Sequence, residues 1–278
     1  MIEKIPNSRR NLDISIDRIF GVEGNQFQVR TLIANTIIGQ LLPKGVVKGG
    51  SALKLRYGDK TTRFTRDLDA ARADELNIYI EQLDSALNNG WNGFTGRVVR
   101  KEPAKPKGIP GEYIMQPFEI KLAYKGKSWL TVPLEIGHDE IGDTEAYDHH
   151  ISQEIVVLFE KLGFPAPKPV ALLQTHHQIA QKLHALSTAE SERAHDMIDL
   201  QVIIKNENVN YQLTKNVCKR LFDFRKQQVW PPIISKGDRW ETLYESQIHG
   251  LDVLHGVEKA IIWTNDLIRA IDEADDIQ

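Results

Sequence analysis

Lys48-Gly49-Gly50-Ser51 and the helix-like run Ala52 to Leu55 that follows it decide the fold of this chain. Two valines before the glycines are typical of a buried strand, and the serine is typical of a helix N-cap. The segment therefore predicts a strand, a glycine turn and the start of a helix. Free backbone N–H groups and the helix dipole at such an N-terminus attract phosphate, so a triphosphate can bind there.

Asp67 and Asp69 follow shortly afterwards, on a strand predicted from Thr61 to Ala70. Residues two apart on a strand point to the same face, so both carboxylates are expected on one side. Paired carboxylates are ligands that Mg²⁺ prefers, and they can hold two ions about 3.5–4 Å apart for phosphoryl or nucleotidyl transfer. Each of the two motifs, taken alone, has a simpler interpretation. Gly-Gly turns are usually structural, and Asp-X-Asp is usually a solvated strand end.

The composition is that of a globular protein with a large core: 278 residues, 41% hydrophobic and 26% charged. The net charge of −3 gives no general attraction to nucleic acid, so any RNA contact needs a local basic patch. The single Cys218 excludes an internal disulfide and suits a reducing compartment. There is no run of ~20 apolar residues for a membrane span, and no secretion signal is recognisable, so we expect a cytoplasmic protein without membrane contact.

The order of elements predicts an α+β protein with a mixed sheet and flanking helices, followed by an α-helical domain. Helical and strand patterns alternate as far as the helix predicted at 74–87, and a β section then follows. Its three strands are predicted at Phe94–Lys101, Tyr113–Tyr124 and Ser128–Ile136. A Pro-rich stretch at 161–170 marks a boundary, which predicts a catalytic domain at 1–165 and a helical domain at 166–278 that closes the cleft.

Glu135 lies near the end of the third of these strands. Three antiparallel strands beside the aspartate strand would bring it close to both aspartates, where a third carboxylate can bind metal or accept a proton. Glu119 is the alternative candidate, and Glu135 could instead be an ordinary exposed acid. The same section, 97–127, carries eight Lys or Arg against three Glu, including the loop Pro103–Pro110. It could meet phosphates of a nucleic acid, although charged loops are usually only solvated.

Lys182 and Asp196 lie on consecutive predicted helices, with Asp199 one turn beyond Asp196. These side chains could meet across a helical hairpin. Lys182 could then neutralise a triphosphate or its pyrophosphate leaving group, with Asp196 orienting Lys182. An interhelical salt bridge is the structural alternative.

Five blocks together resemble the AbiEii/AbiGii nucleotidyltransferase toxins, a family that includes the MenT toxins. They are residues 48–53, 63–69, 132–136, 180–186 and 196–200, and a glycine pair followed by Asp-X-Asp is the signature of the wider nucleotidyltransferase superfamily. The resemblance implies an NTP-dependent transferase, toxic to its own bacterial cell, restrained by an antitoxin encoded nearby and able to add nucleotides to the 3′ end of tRNA. It implies nucleotide binding by Lys48, Gly49, Gly50, Ser51 and Arg66, Mg²⁺ or Mn²⁺ binding by Asp67, Asp69 and Glu135, and catalytic roles for these three acids and for Lys182 and Asp196.

Two positions depart from the family pattern. Glu135 stands where the family often has Asp, which keeps a carboxylate, and His195 stands where it has Arg or Lys. A histidine is charged only part of the time near neutral pH, which makes phosphate binding there doubtful. Two other functions stay open: transfer of the nucleotide to a protein side chain or a small molecule, and nucleotide-dependent regulation by an inactive site. Retention of three carboxylates and Lys182 argues against the inactive site.

Overall fold

A computed structural model describes residues 4–21, 26–102 and 116–275. The predicted loop Pro103–Pro110 and the beginning of the strand predicted at Tyr113–Tyr124 lie outside these residues.

Helices and strands alternate in the first half of the described chain, and helices dominate the second half. In order, they are α1 (Arg9–Phe20), α2 (Gln26–Leu41), β1 (Val46–Lys48), α3 (Gly49–Tyr57), β2 (Leu68–Arg72), α4 (Leu76–Asn89), β3 (Phe94–Arg100), β4 (Gln116–Tyr124), β5 (Lys127–His138), β6 (Tyr147–His150), α5 (Gln153–Lys161), β7 (Val170–Leu173), α6 (Thr175–Leu186), α7 (Asp196–Asn206), α8 (Tyr211–Arg225), α9 (Trp240–Glu245) and α10 (Val257–Asp272).

The strands form one mixed sheet in the order β3-β4-β5-β2-β1-β7-β6, which confirms the predicted α+β class. The prediction that the three-stranded β section lies beside the aspartate strand is confirmed, but β5 runs parallel to β2. The direction of β5 follows from the helix that connects β2 to β3. Helix α4 returns the chain to the other end of the sheet, so that β3 runs in the same direction as β2. Two further reversals give β5 that direction as well.

Strands β3, β4 and β5 bury one face and expose the other. On β5, Val132, Leu134 and Ile136 are buried in the core, whereas Thr131 and Glu135, which alternate with them, are exposed. This alternation is typical of an antiparallel section with one solvated side. We call that side, which also carries Asp69 of β2, the open face.

The helix start and the aspartate strand both differ from the prediction. Helix α3 begins at Gly49 with Lys48 as its N-cap, so Ser51 lies within the first turn, and the predicted serine cap is wrong. The Ser51 hydroxyl donates instead to the backbone carbonyl of Asp67, at 2.5 Å. Strand β2 begins only at Leu68, which leaves Asp67 just before the strand, so the prediction of two carboxylates on one strand is also wrong.

Contacts group the chain into two compact units. The first comprises Met1–Asp59, Phe64–Asp139 and Tyr147–Leu172, and the second comprises Lys60–Arg63, Glu140–Ala146 and Leu173–Gln278. The first holds the sheet with α1 to α5, and the second holds α6 to α10. Two short segments that precede Leu173 in the sequence therefore belong to the helical unit.

Candidate active site

The glycine turn brings the start of α3 against the aspartate strand. Gly49 has φ of 64°, a backbone conformation that favours glycine. A Cβ atom at this position would lie 2.2 Å from Oδ2 of Asp69. Gly49 is therefore required for the close approach of the Asp69 carboxylate, which lies beside the positive end of the α3 dipole.

Lys48, Asp69 and Glu135 occupy one row across three neighbouring strands. Lys48 of β1 pairs in register with Asp69 of β2, and Asp69 pairs with Glu135 of β5. Paired residues on neighbouring strands point to the same face about 4.8 Å apart. The two acids are more exposed than Lys48, which is 9% exposed. We call these three residues the carboxylate row.

The Lys48 side chain crosses β2. Its Nζ lies 3.0 Å from the position that a Cβ of Gly137 would take on β5, two strands away from β1. Gly137 and Glu135 are two apart on β5, so the ammonium group lies on the same face as both acids. A cation held at this position is suited to neutralise the charge of bound phosphate.

Asp67 and Arg66 lie next to the carboxylate row in sequence, with exposed side chains. The Ser51 hydroxyl, 1% exposed, fixes the backbone of Asp67 and accepts a hydrogen bond from Asn35 at 3.3 Å. In this arrangement Ser51 orients the segment leading to the aspartates. The nucleotide-binding role of Gly50, Ser51 and Arg66 stays a prediction.

The residues predicted to bind the metal ion can be compared with the ligands that such an ion prefers. Across residues 4–21, 26–102 and 116–275, no group of three or more His, Cys, Asp or Glu side chains is arranged to hold a metal ion. Asp69 and Glu135 at paired positions nevertheless fit a hard divalent cation such as Mg²⁺, which prefers carboxylate oxygens. Asp67 would have to turn towards them to complete the set, so the three-carboxylate site stays a prediction.

Glu119, the alternative third carboxylate, pairs in register with Pro133 rather than with Glu135. It forms an ion pair with Lys101 at 3.2 Å. Glu135 is the acid that stands directly beside Asp69.

Lys182 lies at the centre of a charge cluster in the helical unit, in which the lysine and two aspartates are buried. Its Nζ donates to Asp196 at 2.8 Å and to Asp199 at 2.6 Å. Arg63 binds Asp199 through two hydrogen bonds of 2.9 Å, and Arg193 binds Asp196 at 2.8 Å. We call these five residues the Lys182 cluster. The interhelical contact between Lys182 and Asp196 is present, and through it Asp196 fixes the direction of the lysine.

The electrostatics of the cluster keep both acids ionised. Burial by itself would raise the pKa of Asp196, but the charges of Lys182 and Arg193 hold that pKa well below its usual range. The pKa of Asp199 is lowered likewise: burial opposes ionisation, and the charges of Arg63 and Lys182 overcome it. Three cations therefore surround two carboxylates.

His195 is neutral near neutral pH. Burial, together with the charge of Arg63, lowers the pKa of its imidazole to about 4. The expectation that His195 is charged part of the time is therefore wrong. Its ring cannot supply the positive charge that an Arg or Lys would supply at this position.

Sequence reasoning gave no role to Arg63 or to Glu140. Glu140 binds Arg225 at 2.6 Å within the helical unit. A signal for Arg63 existed, because two aspartates facing one lysine leave an excess negative charge that needs a further cation when buried. The sequence does not indicate which cation supplies it, since Arg63 and Asp199 are 136 residues apart.

A mixed sheet that carries Lys48, Asp69 and Glu135 in one row beside a glycine-initiated helix defines an α+β nucleotidyltransferase fold. A family model described as "Nucleotidyl transferase AbiEii toxin, Type IV TA system" matches residues 31–267, so the chain belongs to this family of nucleotidyltransferase toxins. The predicted family and the predicted enzyme class are thereby confirmed.

One solved structure supports this fold, and a second match is weaker. MenT4, a nucleotidyltransferase toxin from Mycobacterium tuberculosis, matches with a TM-score of 0.57 and 13% identity over 94% of this chain and 99% of that chain. A nucleotidyltransferase structure from Helicobacter pylori described as putative matches with a TM-score of 0.46 and 19% identity, over 90% of this chain and 96% of that chain. No curated protein sequence matches the chain. Among the described residues, no helix has the length and apolar character needed to cross a membrane.

Proposed function

We propose that this toxin transfers a nucleotide from an NTP bound with Mg²⁺ or Mn²⁺ to the 3′-hydroxyl of tRNA. Family membership gives the reaction class, and the register of Asp69 with Glu135 beside the first residue of α3 is the observation that carries the proposal. It supplies two acids, a nearby lysine and a helix N-terminus on one side of the sheet, which is the chemistry that a nucleoside triphosphate requires.

In the proposed reaction the 3′-oxygen of the RNA attacks the α-phosphorus. A new P–O bond forms, the bond between the α-phosphorus and the bridging oxygen breaks, and pyrophosphate leaves. The hydroxyl proton passes to a carboxylate, for which Glu135 is the candidate. A divalent cation held by Asp67, Asp69 and Glu135 would offset the negative charge that develops on the phosphate oxygens.

The remaining site residues have roles in binding and charge compensation. Lys48, Gly49, Gly50, Ser51 and Arg66 bind the triphosphate, with the first N–H groups of α3 donating to its oxygens. Lys182, oriented by Asp196, offsets charge on the pyrophosphate; this assignment depends on the family resemblance. The toxin–antitoxin family implies an antitoxin, which we expect to be encoded nearby. We expect the reaction to take place in the cytoplasm, where NTP and tRNA are available.

The test is transfer of label from each of the four NTPs, labelled at the α-phosphate, to total tRNA in the presence of Mg²⁺. We expect labelled tRNA and one pyrophosphate per nucleotide added, and we expect Asp69→Asn to lower the rate by roughly 10²–10³-fold through lost electrostatic stabilisation. Asp238→Asn, at an exposed position in the helical unit, is the matched control and should keep the parental rate.

Three results would count against parts of this function. Label on protein or on a small molecule instead of tRNA would contradict the RNA acceptor. Full activity of Asp69→Asn would contradict the assignment of the carboxylate row. Tight NTP binding without turnover on any acceptor would favour a regulatory protein.

A further inference from the structure

Two like charges face each other on the open face at the edge of the sheet. Arg97 of β3 and Lys121 of β4 are register partners in an antiparallel pair, and both side chains are exposed. Like charges directly opposite one another destabilise a sheet, whereas opposite charges at the same positions stabilise it. The fold therefore keeps an unfavourable pair where an Arg–Glu or Glu–Lys pair would be better.

Within the part of the chain that the structure describes, no acidic side chain forms an ion pair with Arg97 or Lys121. Glu119, two residues before Lys121 and on the same face, is engaged by Lys101 at 3.2 Å. Two positive charges are left to attract an anion, although the protein as a whole carries a net charge of −3.

The pair shares a face with the carboxylate row. Lys121 pairs with Thr131 of β5, and Thr131 lies four residues before Glu135 on that strand. With ~3.3 Å per residue along the strand and ~4.8 Å between strands, Arg97 lies roughly 16 Å from Glu135. Both cations also line a cavity of about 300 Å³, together with the hydroxyl-bearing Thr95 and Ser128.

We propose that Arg97 and Lys121 bind the phosphate backbone of the RNA acceptor behind its reacting 3′ end. The inference rests on the proposed function, and it assigns the surface along which that substrate approaches. Phosphate repeats at regular intervals along a strand, and a stacked strand rises ~3.4 Å per nucleotide, so 16 Å corresponds to about five nucleotides. The pair would therefore hold a phosphate about five nucleotides from the 3′-hydroxyl, without reading the base sequence.

The experiment compares the parent with Arg97→Ala/Lys121→Ala in nucleotide transfer to tRNA. We expect KM for tRNA to rise about tenfold or more while kcat and KM for NTP stay unchanged, because the pair contacts only the acceptor. Each phosphate contact to a single strand contributes ~0.7 to the slope of log affinity against log salt, so loss of the one phosphate that the pair holds should make the slope shallower by roughly 0.7. A three-nucleotide acceptor is too short to reach the pair and should react equally well with both proteins.

Arg10→Ala/Lys161→Ala is the matched control. It removes one Arg and one Lys from exposed positions on α1 and α5 of the same unit, so the net charge changes equally. Its KM and salt slope should be parental. Arg97→Glu is a second variant whose folding is secure, because it creates an opposite-charge pair with Lys121; its melting temperature should not fall although its KM for tRNA rises.

The outcomes separate this inference from the proposed function. If the parent labels tRNA and the Arg97→Ala/Lys121→Ala variant has the parental KM and salt slope, the inference is overturned and the function stands. If the parent labels no RNA, the function fails, and binding of a fluorescent twelve-nucleotide single strand decides the inference: affinity must drop for this variant and not for the control. If the Arg97→Ala/Lys121→Ala variant loses binding of a polyglutamate probe but keeps parental RNA binding, the pair binds an acidic protein partner. That result would overturn the inference.

Discussion

Replacing Lys182 by methionine should destabilise the helical unit strongly. Lys182 is 4% exposed, and it is the residue that bonds both Asp196 and Asp199, which are 0% and 2% exposed. Methionine fills a similar volume but leaves these two carboxylates facing each other without the cation between them. Removal of one partner of a buried ion pair costs about 3–5 kcal/mol. Because Arg63 and Arg193 each still bind one acid, we expect the lower end, about 3 kcal/mol.

Urea unfolding followed by tryptophan fluorescence measures this cost. A slope of ~1–3 kcal/mol/M converts a loss of about 3 kcal/mol into a midpoint lower by roughly 1–3 M. The double variant Lys182→Met/Asp196→Asn removes one charge of each sign and should regain part of the loss, with a coupling of roughly 1 kcal/mol or more. Asp238→Asn, exposed in the same unit, is the control for a lost aspartate.

An unchanged midpoint for Lys182→Met would refute the reasoning, because the cluster would then contribute nothing to stability. Strict additivity in the double variant would show that the two side chains do not interact in solution.

The cluster also predicts a pH dependence of stability. Both aspartate pKa values are lowered in the folded protein, so the contribution of the cluster to stability is present above the unfolded-state pKa near 4. It is lost as pH falls through the lower folded-state values.

Three shorter predictions concern individual positions. Gly49→Ala would place a Cβ 2.2 Å from Oδ2 of Asp69 and should abolish most transfer activity. Gly126→Ala is the control, because Gly126 has a similar φ of 74° but open space around it; this variant should lose stability and keep activity. Urea unfolding and transfer assays measure the two effects. Burial and the charge of a neighbouring arginine lower the pKa of His184 to about 4, so the contribution of the neutral ring to stability is fully present above pH ~6.5. From pH 7 to pH 5 the free energy of unfolding of the parent should fall by about 2 kcal/mol. His184→Gln should not show this loss in urea unfolding at the two pH values. Arg97→Glu should raise the free energy of unfolding by about 0.2–1 kcal/mol through its new pair with the lysine opposite, and an unfolding midpoint below that of the parent would contradict the register.

The glycine turn, the helices and the exposure of Glu135 on a half-buried strand follow from local sequence patterns. Gly49 marks the end of a strand and the start of a helix, and the alternation around Glu135 predicts a half-exposed strand. These features depend on neighbours within a few residues. They are therefore predictable from the sequence.

The errors concern features decided by distant contacts. Ser51 is a good N-cap residue by type, but the carbonyl of Asp67 takes its hydroxyl, and the helix starts two residues earlier. The direction of β5 relative to β2 depends on the path of α4 and β3 between them, which periodicity does not report. The partner of Arg63 lies 136 residues away, beyond the reach of any local pattern.

Each compact unit is assembled from three separate pieces of the chain. A gene fragment ending at residue 172 would encode every strand residue of the first unit, but it would also carry Arg63 and Glu140 without Asp199 and Arg225, their partners. Two buried or half-buried charges would be left uncompensated a few residues from Asp67 and from Glu135. The fragment that encodes the sheet is therefore not expected to fold on its own. We expect recombination or truncation either to keep both units folded or to unfold both.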